Sequence, residues 1–406
     1  MVTFYSHIVN FILALQPQIS KPQMNHMLTF MHGIILTDGR INVPQIRRST
    51  SENRDLSCMT RFLNESLWCP NRVTRRRLQF VMNHIQKSRS ETGDTRPIVF
   101  FIVDDTQCKK DCTTKRMEGL DNHYYHSDGK TIWSHCVVTA HVVSENNSFA
   151  WDFRSYFQKL YCQKEGISFK SKNDLTIELI NSYPVSDDDQ VYVLVDSWYT
   201  SKKLIETCYQ KGFHPIGGLR TNRKIYPAGV GIKISDLAST YIESTDLRPV
   251  TVNGHTYKIY TYEGNLSDTD YAKVLLSWEN KFDSSKTPFC LHCTDSSLNL
   301  VTILSYYNVL RNIETGYRYF KELLGFDEYQ LLSYKGMERF WCIEFLTYNY
   351  VEYQRQTWQK ELPLRISDVV WRIRKDHLCQ LVVYGYEQAL SKKSLMDVLK
   401  DLKLAV

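Results

Sequence analysis

The sequence predicts an α/β protein, and three observations carry that expectation. Two continuous β-branched and aromatic runs, IVFFIV (98–103) and VYVLV (191–195), have the character of strands buried on both faces. Helical patterns lie between them, at about 173–181, and after the second, at 202–210. The flanks differ: 1–92 and 335–406 read as helical, whereas 221–299 reads as short strands and turns.

Taken in order, residues 1–92 carry helical periodicity broken at Lys21-Pro22, Thr37-Asp38-Gly39 and Cys69-Pro70. Two helices are expected around a Pro-Asn turn, over 57–67 and 73–87, with Arg72, Arg75, Arg76 and Arg77 clustered at the start of the second. Two readings stand for this pair: a helix-turn-helix DNA reader, or a plain bundle with an exposed basic face. The polar SRSETGDTRP segment (88–97) reads as a linker. Beyond the first apolar run come a strand or two through 116–125 and a strand over 131–143. Each apolar run ends in acid, Asp104-Asp105 after the first and Asp196 after the second. Carboxyl ends of parallel strands are where α/β folds place ligands.

In the strand-rich segment, Asn253-Gly254 predicts a hairpin turn within 250–262, and 271–278 a further strand. A strand is expected at 298–304, then one long helix over 307–325. On that helix Arg311, Glu314, Arg318 and Lys321 form a polar stripe, and Ile313, Tyr317, Phe320 and Leu324 an apolar one. A helix through Phe345 to Trp358 follows, and Pro363 separates it from the last ones.

Composition narrows the function. With 406 residues, 43% hydrophobic and 23% charged, the chain has room for two or three domains and a large core. No apolar run reaches the roughly 18 residues of a membrane span. The early HIVNFILAL run is interrupted by Asn10 and lacks a signal peptide's basic start and cleavage site, so a cytoplasmic chain is expected. Eleven cysteines, mostly single, predict free thiols. Cys290 and Cys293, with His292 between, offer half a zinc site, but no second such pair completes it. Net charge is +6; residues 1–90 hold twelve Lys/Arg against four Asp/Glu, a surplus of eight, so the remainder sums to −2. A basic front on a near-neutral body suits a polyanion partner.

Three acids on rigid elements, two at strand ends and one on a helix alongside, are what metal-dependent phosphodiester chemistry requires. Hard divalent cations take carboxylate oxygens and complete their shells with water and phosphate. Asp104, Asp196 and Glu314 meet that description, although an acid ending a strand is also a common turn former or helix cap.

The motifs VDDT (103–106), TIWSHCVV (131–138), VLVDSWYTS (193–201), IGGLRTNR (216–223) and RNIETGYRYFKELLGFDEYQ (311–330) carry a resemblance. The chain resembles bacterial insertion-sequence DDE transposases, and more narrowly the group with a Tyr-Arg-Glu-Lys signature and a β-rich insertion. The resemblance covers roughly 50–360. It implies an α/β, RNase H-like mixed-sheet core (93–220 and 300–360) interrupted by a β-rich insertion (221–299). A helical, basic DNA-binding domain (1–92) precedes the core and a helical tail (361–406) follows it.

It further implies cut-and-paste transposition: two Mg²⁺ or Mn²⁺ ions held by Asp104, Asp196 and Glu314, double-stranded DNA of the element's terminal inverted repeats and of the target as substrates, a hairpin intermediate and a homodimer in the synaptic complex. The Asp-x-Thr pattern selects Asp104 over Asp105, between which alternation cannot choose because both faces of IVFFIV are apolar. Tyr307, Glu314 and Lys321 fit the signature spacing. The arginine does not: position 310 is leucine and Arg311 stands one place late, so Arg311 or Arg318 fills that role. Arg75, Arg76 and Arg77 are expected on DNA, and Trp278 is the expected stacking partner of a flipped base, with a core tryptophan as the alternative. His135 is placed either near the metals or in the core. A DNA-binding relic and another RNase H-like nuclease are the competing functions.

Overall fold

The computed structural model describes residues 5–52, 54–88, 96–125, 129–186, 188–267, 269–359 and 363–403. Most of the 88–97 linker lies outside them.

Helices open the chain: α1 (Ser6–Leu15), α2 (Lys21–Leu36), α3 (Val43–Ser49), α4 (Leu56–Asn64) and α5 (Pro70–Ser88). Local chemistry sets their starts. Ser20 and Gln23 form a capping box on α2, Asn42 caps α3, Asp55 caps α4, and Pro70 is the first residue of α5.

Next come β1 (Ile98–Lys109), β2 (Asp121–Tyr125), β3 (Lys130–Ser144) and β4 (Asn147–Tyr156). They are followed by α6 (Lys159–Glu165), α7 (Lys172–Ser182), β5 (Gln190–Val195), α8 (Lys202–Gln210) and β6 (His214–Gly218). β3 lies antiparallel to β1 and to β4, while β5 lies parallel to both β1 and β6. The resulting order β4-β3-β1-β5-β6, with α7 and α8 as crossovers, is that of an RNase H-like core. β4 and α6 had no counterpart in the sequence reading.

The strand-rich segment supplies β7 (Lys224–Ile225), β8 (Ile232–Lys233), β9 (Arg248–Val252), β10 (His255–Leu266), β11 (Thr269–Glu279) and β12 (Phe289–Cys293), together with α9 (Ile234–Thr240) and two short 3₁₀ turns. Asn253 and Gly254, at φ 52° and 81°, make the expected tight turn between β9 and β10. β12 pairs antiparallel with β6, so these strands extend the core sheet.

The remaining elements are α10 (Leu300–Asn308), α11 (Arg311–Leu324), α12 (Tyr334–Trp358), α13 (Ile366–Leu390) and α14 (Leu395–Asp401). Two expectations are corrected here. The apolar run at 298–304 begins a helix rather than a strand: the Asn299 side chain caps it by accepting from the Thr302 amide, and Ile303 and Leu304 turn inward. Short apolar runs do not distinguish the two states by periodicity. The single helix expected over 307–325 is two, joined by i→i−3 bonds from Val309, Leu310, Asn312 and Ile313.

Both faces of β1 are packed. Val99, Phe101 and Val103 meet α5, α7 and α8 through Val81, Leu179 and Leu204. Ile102 meets α10 and α11 through Ile303 and Ile313. Each such side chain contributes about 1.5–3 kcal/mol of burial. A further core joins α1–α4 to α12 and α13: Phe11, Met31 and Phe62 pack in one cluster with Phe340, Trp341 and Val370. Arg339 of α12 donates to the Leu63 and Trp68 carbonyls at 3.0 and 2.8 Å, tying the carboxyl-terminal helices to α4.

Candidate active site

β1 and β5 pair from Ile98↔Gln190 to Ile102↔Leu194. The same register, carried two residues further, sets Asp104 level with Asp196, the first residue after β5. Residues two apart on a strand share a face. Asp104 therefore lies on the Ile102 side, which α10 and α11 cover, and Asp105 on the Phe101 side, which α7 covers. This separation of faces, invisible in the apolar pattern, distinguishes the two aspartates.

Asp104 is pushed well above the usual carboxylate range, first by burial and then by the charges of Asp105, Asp196 and Glu314. Against these, the Asp105 amide donates to Oδ1 at 2.8 Å. Asp196 Oδ1 accepts from the amides of Trp198 (2.8 Å) and Tyr199 (3.3 Å), so this residue does form the turn expected of a strand-ending acid. The turn packs against β6 at Gly218, where a Cβ would stand 2.7 Å from the Ser197 nitrogen; the Thr200 hydroxyl also donates to the Gly218 carbonyl at 2.7 Å. That close approach accounts for the Gly-Gly in IGGLR.

Glu314 is exposed in the first turn of α11, where the helix N-terminus favours a carboxylate. The apolar stripe behind it is buried as expected: Ile313 on the sheet side, Phe320 and Leu324 towards α12. The Tyr317 and Thr139 hydroxyls share a 2.8 Å hydrogen bond that ties α11 to β3. Tyr307, at the end of α10, is half-buried, and its phenol is raised by burial and by the charges of Asp196, Asp104 and Glu314. One tyrosine thus senses all three acids.

Arg311 and Arg318 are exposed, Arg318 lying 5.5 Å from the Tyr319 ring centroid. Lys321 donates to the Gln107 carbonyl of β1 at 2.9 Å. Because a tight turn separates Tyr307 from Arg311, a one-residue displacement there does not translate into 100° of rotation on a single helix.

Among the described residues, no three His, Cys, Asp or Glu side chains stand close enough to hold one ion between them. The donor set is nevertheless the one hard cations take: carboxylate oxygens, with Asp104 raised first by burial and then by its acidic neighbours.

Asp105 does different work. Its Oδ2 takes an ion pair from Lys172 of α7 at 2.7 Å and a contact from the Cys136 thiol at 3.4 Å, and its Oδ1 accepts from the Tyr199 hydroxyl. Tyr199 belongs to the Asp196 turn, so this network ties α7, β1 and that turn together. Sequence reading missed it, because Lys172 lies 67 residues away.

The expected DNA contacts of Trp278 and Arg77 are corrected, and the readings left open for His135 and the two cysteines are decided. Trp278 is 4% exposed in the core of the strand-rich segment, its Nε1 donating to the Lys286 carbonyl at 3.1 Å and its ring edge-on to Phe282. It is a core tryptophan. Arg77 is 1% exposed and donates to the carbonyls of Ala150 and Trp151, with Asp152 at 3.8 Å, which pins α5 to β4. It cannot reach DNA there, whereas Arg75 is exposed and Arg76 half-buried. His135 is a core histidine, held by Tyr329 and the Glu118 carbonyl and lowered to about 4 by burial. Cys290 and Cys293 belong to cores on opposite faces of β12, which rules them out as a chelating pair.

The profile of the DDE superfamily endonucleases matches residues 14–240. The chain belongs to that family. The transposase DDE domain matches residues 170–350, so the two matches together run from the first helices through most of α12. No curated protein matches the chain. As a DDE transposase it is an enzyme, a nuclease and strand transferase acting on DNA. No described helix is long and apolar enough to cross a membrane.

Proposed function

We propose that this DDE transposase excises its element by cut and paste, with Asp104, Asp196 and Glu314 as the acids of its active site. The observation that carries the reading is the raised Asp104. Asp104 within β1, Asp196 just after β5 and Glu314 on α11 are close enough that, after burial and Asp105, the charges of Asp196 and Glu314 raise Asp104. Such a site is electrostatically incomplete until cations enter it. Divalent Mg²⁺ or Mn²⁺, as a pair, would supply Lewis-acid activation of the attacking oxygen and stabilisation of the leaving one.

The chain's own residues position the DNA. The Asp196 turn, fixed by Gly218 and Tyr199, and α11, fixed by its buried stripe, hold the acids on rigid supports. Arg311 and Arg318 lie on the exposed side of α11, where charge-assisted contacts to phosphates flanking the scissile bond are available. Lys321 joins them by exchanging its Gln107 carbonyl for phosphate, and Tyr307 borders the reacting group. Arg75 and Arg76 extend the contact along the duplex. Water attack releases a 3′-hydroxyl and a 5′-phosphate at the element's end. The 3′-hydroxyl then displaces the opposite strand to form a hairpin, and after reopening attacks target DNA. Two copies pair the two ends.

The test is cleavage of a duplex bearing the element's own terminal repeat, in Mg²⁺, by wild type and Glu314→Gln. Cleavage lost by several orders of magnitude, with DNA binding retained, supports the reading. Binding by both proteins and cleavage by neither leaves a DNA-binding relic, and equal cleavage removes Glu314 from the site.

A further inference from the structure

Helix α5 holds no Asp or Glu in its 19 residues, but five Lys/Arg and four Asn/Gln. Val73, Arg77, Val81 and Ile85, each four residues after the last, form its buried side. Arg72, Arg75, Gln79, Asn83 and Gln86 are exposed on the opposite side. At about 100° and about 1.5 Å per residue, these five fall within an arc of about 80° along a stripe about 21 Å long. Among the described residues none of the five side chains has a hydrogen bond or ion pair, whereas Arg77 on the buried side is fully engaged by β4 carbonyls. A solvated helix face ordinarily mixes Lys with Glu and pairs them three or four residues apart. This face has no acid to pair. Beside it runs a cleft of about 660 Å³, walled on one side by Arg75, Gln79, Asn83 and Gln86 and on the other by β4 and the end of α7. The cleft's acid, Asp152, is held by Arg154 at 2.7 Å, so the flank of the stripe is open and carries no free negative charge.

The residue types are those that tell base pairs apart. Arginine meets guanine O6 and N7 with two donors, and an Asn or Gln amide meets adenine N6 and N7 with one acceptor and one donor. Both pairings occur in the major groove, which admits one α-helix. We infer that α5 lies in the major groove of the element's end and reads its sequence, Gln79 and Asn83 each on an adenine and Arg75 on a guanine, with Arg72 on a flanking phosphate. The inference rests on the DNA-cleaving reading above and adds to it sequence recognition by residues outside the three acids and the bases of α11. The anchor of α5 also fixes where the recognised bases lie. Arg77 bonds Ala150 of β4, Ala150 pairs with His141 of β3, and His141 pairs with Ile102 of β1, two residues before Asp104. At about 4.8 Å between strands, the support of the reading helix stands about 10 Å from the strand that carries Asp104. The bases read and the bond cut therefore keep one spacing.

The experiment measures affinity of the full-length protein, in EDTA and at one salt concentration, for three kinds of duplex. One bears the element's own terminal repeat, a set carries each single base-pair substitution in that repeat, and one has the repeat scrambled. Gln79→Ala and Asn83→Ala are each expected to bind the repeat about tenfold more weakly than wild type. Each also becomes indifferent to substitution of one A·T pair to which wild type responds. Arg72→Ala weakens the repeat and the scrambled duplex alike and lowers the salt dependence by about one phosphate contact. All three keep the wild-type melting temperature, because these side chains hold nothing in the fold. Insertion of about five base pairs, half a turn of the duplex, between the sensitive pairs and the element's tip abolishes Mg²⁺ cleavage by wild type. Variants at Gln79 and Asn83 that keep wild-type sensitivity at every base pair overturn the inference. If the repeat is then still cleaved in Mg²⁺, only the reading helix has been misassigned; wild type that binds neither the repeat nor the scrambled duplex ends the DNA-cleaving reading as well.

Discussion

Asp104 and Asp105 are neighbours on one strand, and their surroundings are opposite. Asp105 faces α7 and is neutralised there by Lys172, with Tyr199 on its other oxygen. Asp104 faces α10 and α11, where burial and the charges of Asp105, Asp196 and Glu314 outweigh the bond from the Asp105 amide. A paired carboxylate in a partly buried site is a structural fixture, whereas an unpaired one among like charges costs stability and persists for what it binds. The difference teaches that a site can be recognised by what it lacks. It also shows division of labour: the Asp105 network supports from behind the turn that presents Asp196 in front.

The comparison breaks first at the two aspartates themselves. Asp104→Asn is expected to abolish metal-dependent cleavage while leaving thermal stability in EDTA unchanged or higher. Asp105→Asn is expected to lower stability by about 2–4 kcal/mol by stranding Lys172, with a smaller loss of cleavage. Melting curves beside single-turnover cleavage decide it, and the reverse pattern would interchange the roles. Next in size is Gly218→Ala, whose Cβ would meet the Ser197 backbone. Displacing the Asp196 turn should reduce cleavage about tenfold or more for about 1–3 kcal/mol of overpacking and raise the Mg²⁺ concentration at half-maximal rate.

The smallest effect on cleavage, none, is expected at Glu344, a carboxylate raised by burial and then by Asp327 in the middle of α12. The folded chain keeps that proton at pH values where the unfolded chain has released it. Stability therefore falls as pH rises from about 4.5, the ordinary glutamate value, through the raised folded value. Glu344→Gln should flatten this slope and gain stability at alkaline pH, read from melting temperature against pH. A slope unaltered by the substitution would assign the pH dependence to other groups.

Much of the fold was legible because strand cores and helix caps are local signals. IVFFIV and VYVLV became β1 and β5, and Asn253-Gly254 made its turn. The run at 298–304 was misread because its helical character resides in the Asn299 cap rather than in periodicity. In the candidate site, the three acids proposed for it stand out in the sequence because two follow apolar runs and one sits on an amphipathic helix, although β1 continues past Asp104 to Lys109. What could not be read were the partners: Lys172 on Asp105, Gly218 under Ser197, and the burial of Arg77 and Trp278. Each depends on tertiary neighbours from distant sequence, and an arginine in a basic cluster looks the same whether it meets phosphate or a backbone carbonyl.

The core shared by α1–α4 with α12 and α13 imposes a timetable on the newborn chain. At about 5–20 residues per second, the roughly 250 residues between α5 and α12 take from some ten seconds to most of a minute to emerge. Throughout that interval Phe11, Met31 and Phe62 lack the Phe340, Trp341 and Val370 surfaces that cover them in the finished molecule. The first-made helices therefore keep an apolar face uncovered until α12 and α13 are made, the kind of transiently exposed surface that invites aggregation.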